Sequence, residues 1–379
     1  MKPTDMPAQG ESGLKAAPVC RAGQACVAGR SPPRRSTLER MPKWLICVPL
    51  TLQWLWLALR YRSLTLPSAA NPAITSGGLV GEGKLEYFDT MGPLALAATA
   101  RSCGVTAVHP ANPAELQQVL TAARLAFPLI AKPNLGLCGY GVRRLDDLPA
   151  LLRYVSAFPQ GETVVLQQYL AQEGEAGIFY ARDPATGCGR IIGLALRYFP
   201  SVVGDGKCTV GQLMALDART GRLVHTPRHE FAHDRNRIPK PGETVRLATV
   251  GSTRVGGLYR NGAGCITPAL TAAIDAIARD MKNFNFGRFD VRFDTLHALQ
   301  AGRGFAIMEV NGAGSEAIQA WDPDMPMQAG FRIIFAKQAL LFAIGNAQRA
   351  AGVQPIGLRA LYRLNERQNH LVRQYPPSN

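Results

Sequence analysis

Acidic residues are scarce in this chain: 27 Asp and Glu stand against 42 Lys and Arg, a formal net charge of +15. That balance suits polyanionic ligands such as nucleotide phosphates, acidic substrates, anionic lipid or nucleic acid, and does not choose among them. No run of Lys and Arg interleaved with aromatics marks a nucleic-acid surface, so nucleic acid is not an expected partner. Histidine is also sparse, at 6, and none stands at metal-ligand spacing from a cysteine. The 8 cysteines are scattered and include no Cys-x-x-Cys pair. This excludes a zinc site of that kind and a disulfide frame, and points to reduced thiols in the cytoplasm. The apolar run Trp44–Leu59 falls short of the roughly 20 residues that span a bilayer. No internal repeat is present.

What the chain does have is length and apolar content. Its 379 residues, 47% hydrophobic, can bury a core divided over two or three lobes. Residues 1–40 are rich in Pro, Gly, Ser, Ala and Arg without periodicity, and are expected to be a disordered extension with Met41 as the true start. Residues 41–80 are expected to hold an apolar helix and a linker. The run Trp44–Leu59 leaves three readings open: a buried or groove-packed helix, an interfacial membrane helix with Trp44, Trp54 and Trp56 at headgroup level, or a cleaved signal peptide. Residues 64–82 are Pro/Gly/Ser-rich and read as loop.

Further on, helices are expected at Gly83–Met91, Asn112–Leu125, Asp146–Ala157, Pro268–Lys282 and Pro326–Gly345. Strands are expected at Thr106–His109, Phe127–Ala131, Thr163–Leu166, Gly177–Tyr180, Gly189–Leu196 and Thr244–Val250, with a hairpin over Arg288–Val310. Strands and helices mix without a strict alternation, which predicts an α+β fold with antiparallel sheets. The lobes are set at 81–160 and 161–345, with 346–379 as a tail.

Four segments carry chemistry. In FPLIAKPNLGLCGYGV an apolar strand ends at Lys132, and a loop with Gly136, Gly139 and Gly141 follows. Glycines let backbone N–H groups approach phosphate oxygens, and a Lys adds a compact charge. A glycine-rich turn beside an exposed Lys is the plain alternative. In VVLQQYLAQEGEAGIFY a strand runs through Gln167, Gln168 and Leu170 into a linker, and Glu175 opens the next strand. The third segment pairs GRFDVRFD with FAIMEVN. Alternation puts Arg288, Asp290 and Arg292 on one strand face, and Glu309 and Asn311 on one face of its partner. A hairpin sets Asp290 near Glu309, so two carboxylates and an amide oxygen converge as hard ligands suited to Mg²⁺. A salt-bridged sheet face built with Arg288 and Arg292 is the rival. The fourth, Leu196–Leu213, holds a sharp Gly-Asp-Gly turn.

In this order and spacing the motifs resemble those of the ATP-grasp superfamily over about residues 84–345. The first three are similar to those of D-alanine–D-alanine ligase, the fourth to a stretch of cyanophycin synthetase. The resemblance implies two α+β lobes gripping ATP, and a Mg·ATP-dependent carboxylate–amine ligase working through an acyl-phosphate. It implies that Lys132 contacts the phosphates and Gly136–Gly141 close over them. Gln167, Gln168 and Leu170 would line adenine, with Gln167 where the family usually has Glu, and Glu175 would hold the ribose. Asp290, Glu309 and Asn311 would bind two Mg²⁺ ions, or Mn²⁺. Arg288 and Arg197 would lie by the transferred phosphoryl group. The family's Rossmann-like N-terminal domain is expected to be reduced or absent, so the substrate carboxylate and amine do not transfer. Homo-oligomerisation, peripheral membrane contact through Trp44–Leu59, and an ATP-binding regulatory module without ligase activity remain open.

Overall fold

The computed structural model describes residues 37–221 and 234–379. Five of its helices begin where a side chain satisfies an unpaired N–H group of the first turn. Asn112 caps α5 (Pro113–Ala122) and Asp147 caps α6 (Leu148–Ser156). Thr209 and Gln212 form a reciprocal box on α7 (Val210–Leu216). Thr267 caps α8 (Pro268–Arg279) and Thr295 caps α9 (Leu296–Gln300). Before these stand α1 (Thr37–Arg40), α2 (Lys43–Arg60), α3 (Lys84–Asp89) and α4 (Pro93–Ala97); after them, α10 (Met327–Ala350) and α11 (Leu358–Val372).

Two antiparallel sheets make the α+β frame. The first is four-stranded, in the order β1 (Ser102–Thr106), β4 (Thr163–Gln168), β2 (Leu129–Pro133), β3 (Arg143–Leu145). The second is five-stranded: β11 (Phe305–Asn311), β10 (Phe286–Phe293), β5 (Gly174–Arg182), β6 (Gly189–Tyr198), β9 (Leu258–Asn261). A small hairpin pairs β7 (Ser201–Val203) with β8 (Thr244–Arg246). The period of two along β10 sends Phe289, Val291 and Phe293 into a core with Leu270, Ile274 and Ile277 of α8. Arg288, Asp290 and Arg292 are left on the opposite face.

Several expectations shift. Thr37–Arg40, read as part of a structureless extension, is helical: Leu38 is buried, and both Glu39 oxygens accept from Arg219, at 2.7 and 3.1 Å. A start at Met41 would strip buried Arg219 of its carboxylate. The rest of that expectation, residues 1–36, lies outside the described residues. Strand Thr163–Gln168 belongs to the first sheet, so the division between lobes falls after it and not at 160. The tail 346–379 contains α11, whose Leu371 and Val372 join Tyr375 in the first sheet's core; Tyr375 stacks on Phe158 at 5.0 Å. Polar residues face outward over most of α11, which hid it from a reading based on apolar runs. The first strand sits at Ser102–Thr106 and not Thr106–His109, and the β10–β11 connection holds the short α9. No multi-residue strand precedes Ser102 among the described residues.

The segment read as loop after α2 is buried. Leu66, Ala69 and Ala70 are fully covered, and Asn71 sits at the centre. Its Oδ1 accepts from the N–H groups of Asn285 and Phe286, and its Nδ2 donates to the carbonyls of Gly77 and Phe286. One side chain thus does for irregular backbone what a ladder does for a strand. Helix α10 is the one helix among the described residues long and apolar enough to cross a membrane by length and composition; it packs against α2 and the turn at Leu66–Ala69.

Asn71→Ala removes four hydrogen bonds to buried backbone groups, of which the Gly77 carbonyl keeps the Ala313 N–H. It is expected to lower unfolding stability by on the order of 3 kcal/mol, read by urea titration; a loss under about 0.5 kcal/mol would refute the anchoring role.

Candidate functional site

The site forms where the two sheets meet. Lys132, on β2, is 5% exposed, and a buried ammonium needs acceptors. Its Nζ donates to Gln167 Oε1 at 2.8 Å and to the Met308 carbonyl at 3.0 Å. Gln167 Nε2 donates to the same carbonyl at 3.1 Å. That carbonyl is available because of a bulge. The β10–β11 register runs Asp290↔Glu309 and then Val291↔Ile307, so Met308 is the extra residue. A bulge takes one residue out of the ladder and re-aims its groups. Here it joins the second sheet to the lysine of the first.

Next to the bulge, Asp290 and Glu309 stand opposite each other, and Asn311 stands opposite Arg288. Asp290 is 2% exposed and shared by three donors. Arg288 grips it with two bonds, Nε to Oδ1 at 2.6 Å and Nη2 to Oδ2 at 2.9 Å. Arg197 Nη2 reaches Oδ2 at 3.0 Å, and Asn311 Nδ2 donates to it at 3.2 Å. Arg197 also binds Glu175 at 3.1 Å, and Arg292 lies 3.3 Å from the other Glu175 oxygen. Glu309 pairs with Lys84 at 3.2 Å; its side chain is 31% exposed, so solvent screens that pair.

Charge sets the protonation states. Burial pulls Lys132 down from 10.5 to about 8, against the pull of Glu309, with Lys84 adding to the lowering. Burial alone would raise Glu309, but Lys84, Lys132 and Arg288 outweigh it and hold the carboxylate well below its usual range. Burial pushes nearby Glu82 up to about 7, and its Oε2 has no partner. Five cations (Lys84, Lys132, Arg197, Arg288, Arg292) thus surround three carboxylates (Glu175, Asp290, Glu309). The surplus is positive, as a polyanion requires.

The structure therefore gathers Lys132, Gln167, Glu175, Arg197, Arg288, Asp290, Glu309 and Asn311. Gly136 borders the cluster, since a Cβ there would stand 2.6 Å from Lys84 Nζ. Gly139 and Gly141, both at positive φ, lie farther along the loop, their carbonyls taken by Arg254 and Tyr154. Gln168 ends β4 and Leu170 lies in the connection to β5; neither side chain joins the cluster. Gln167 differs from expectation. Both ends of its amide are engaged by Lys132 and Met308, so it tethers the lysine and keeps only the second lone pair of Oε1 for another donor. Asp290 differs too: its oxygens bind arginine, the salt-bridged arrangement that rivalled a metal cluster. Among the described residues no three His, Cys, Asp or Glu side chains group as metal ligands.

Lys84 was not anticipated. It occupies the first turn of α3, where the helix dipole favours acid. A cation against the dipole is the local signal that could have revealed it. Two grooves in the structure lie along α2, away from this cluster.

No protein-family model and no curated protein matches the sequence. Among solved structures, the chain is similar to a bifunctional glutathione synthetase from Pasteurella multocida: 16% identity over 70% of this chain and 38% of that one, TM-score 0.35. It is similar to a D-cycloserine synthetase at 15% identity, over 72% and 70% of the two chains, TM-score 0.37. It is similar also to D-alanine–D-alanine ligase from Bacillus anthracis at 15% identity, over 69% and 68%, TM-score 0.36. The chain thus spans well under half of the first of these proteins.

Asp290→Ala takes from Arg288 the carboxylate it grips with two bonds and leaves Arg197 with Glu175 alone. A loss of about 3–5 kcal/mol in thermal or urea unfolding is predicted; an unchanged unfolding midpoint would show that the arginines relax into solvent.

Proposed function

We propose that the chain is a Mg·ATP-dependent carboxylate–amine ligase of the ATP-grasp type. The observation that carries the reading is the junction at Met308: one bulged carbonyl holds Lys132 beside the facing pair Asp290 and Glu309. A cation suited to phosphate and a hard-oxygen set suited to magnesium are thereby fixed within one patch. The order of motifs along the chain supports the same reading.

Lys132 and Lys84 bind the phosphates, and the loop of Gly136, Gly139 and Gly141 closes over them. Gln168, at the end of β4, and Leu170, in the connection that follows, border adenine, while Glu175 takes the ribose hydroxyls. The metal donor set fits by chemistry: Asp290 and Glu309 offer carboxylate oxygens, and the Asn311 amide retains Oδ1. Binding exchanges partners. Arg288 and Arg197 would then lie by the transferred phosphoryl group, and Asp290, Glu309 and Asn311 would hold Mg²⁺, in one or two ions, or Mn²⁺. When bound, the metal neutralises phosphate charge. The protein's part is positioning and charge stabilisation. The substrate carboxylate attacks the γ-phosphorus as its bond to the β–γ bridging oxygen breaks, giving an acyl-phosphate and ADP. An amine then displaces phosphate and loses a proton, giving an amide.

A second reading, an ATP-binding module without ligation, draws support from the full engagement of Asp290 by arginine. An ADP-release screen over amino acids and short peptides separates the two. The ligase releases ADP only with an acid and an amine present, with an amide in equal amount, and Glu309→Gln lowers the rate by at least roughly 100-fold. ATP binding with no substrate-dependent ADP in any combination would instead leave the second reading standing.

A further inference from the structure

The proposed ligase reading leaves helix α2 unexplained. Its apolar residues lie on every side, a pattern that needs an apolar environment all round. The protein supplies only part of one. Ile46, Leu57 and Ala58 are buried, and Leu57 and Ala58 pack with Leu66 and Phe342. The rest faces outward: Trp44 is 69% exposed, Leu52 63%, Trp56 54% and Leu59 79%, with Leu45, Val48 and Leu55 between them. At 100° per residue these seven side chains fall within an arc of about 120°, one continuous stripe along the helix. A stripe of this length on a soluble surface marks an interaction face.

We propose that this stripe docks the protein on an anionic lipid bilayer, α2 lying in the plane of the interface. Charge selects the occupant. Lys43 and Arg60 stand exposed at the two ends of α2 and Arg62 just beyond. Exposed Arg332 lines a groove against α2, and exposed Arg359 stands beside Leu358, which lines another. Opposing acid is lacking: no Asp or Glu occurs between Met41 and Gly81, and α10 has none. A partner with its own positive surface is excluded, and an uncharged apolar partner leaves these cations unused. Lipid headgroups match both features, with tryptophans at the polar boundary and basic side chains reaching the phosphates. The groove between α2 and α10, lined by Pro49, Phe331 and Phe335, extends the same apolar surface.

The test uses the full chain with vesicles of phosphatidylcholine alone and of phosphatidylcholine mixed with phosphatidylglycerol. Cosedimentation is expected to be roughly tenfold stronger on the anionic vesicles, to weaken with added salt, and to be accompanied by tryptophan quenching from brominated lipid. The double variant Leu52→Glu, Leu59→Glu changes only exposed positions. It is expected to lose vesicle binding while its circular dichroism melt stays unchanged. Failure to bind either vesicle, or undiminished binding by the double variant, overturns the proposal. So does a concentration-dependent dimer that the variant dissociates in the absence of vesicle binding, which assigns the stripe to a second copy. None of these readouts depends on ATP turnover, so the proposal stands or falls apart from the ligase reading.

Discussion

The carboxylate of Asp290, divided among Arg288, Arg197 and Asn311, is the constraint around which the rest is arranged. A buried anion at 2% exposure persists only if its charge is met. Meeting it fixes Arg288 on β10 and Arg197 on β6. Arg197 in turn binds Glu175 on β5, so one set of ion pairs crosses three adjacent strands. The bulge at Met308 then carries the same patch across to Lys132 in the first sheet. Sheet-to-sheet geometry and charge balance are thus one problem with one solution.

Much of this was legible in the chain. The alternation in GRFDVRFD put Arg288, Asp290 and Arg292 on one face, and the strand ending at Lys132 followed from an apolar run closed by a lysine. Those features are local and periodic, so a single strand states them. The remainder is relational. The bulge depends on how β11 registers against β10, and nothing in FAIMEVN marks Met308 as the residue left over. Gln167 was assigned to adenine by resemblance, but the structure shows its amide bonded at both ends, a fact that needs the partner strand. Asn71 sits in a stretch whose Pro, Gly and Ser content reads as exposed loop; its burial comes from bonds to Asn285 and Phe286, more than two hundred residues away. Helix α11 buries too few apolar residues to declare itself by pattern alone.

Helix α2 shows the complementary case. Its composition left burial and membrane contact open, and the structure buries one side of the helix and exposes the apolar residues of the other. One face completes the core around Phe342 and the other does not. The basic surplus of the chain is likewise divided, part of it ringed about three carboxylates and part flanking an apolar stripe. Both regions carry the cations that the two proposals assign to phosphate, in a nucleotide and in a lipid headgroup.

The central claim is that the ion pairs of Asp290 are placeholders which bound nucleotide and metal replace. A crystal structure with ADP and Mg²⁺ tests it most directly. The account predicts Arg288 and Arg197 turned to phosphate, and oxygens of Asp290, Glu309 and Asn311 about 2.1 Å from the metal, the Mg²⁺–oxygen distance. Nucleotide bound with the Arg288–Asp290 pair intact, or bound away from Lys132, would contradict it.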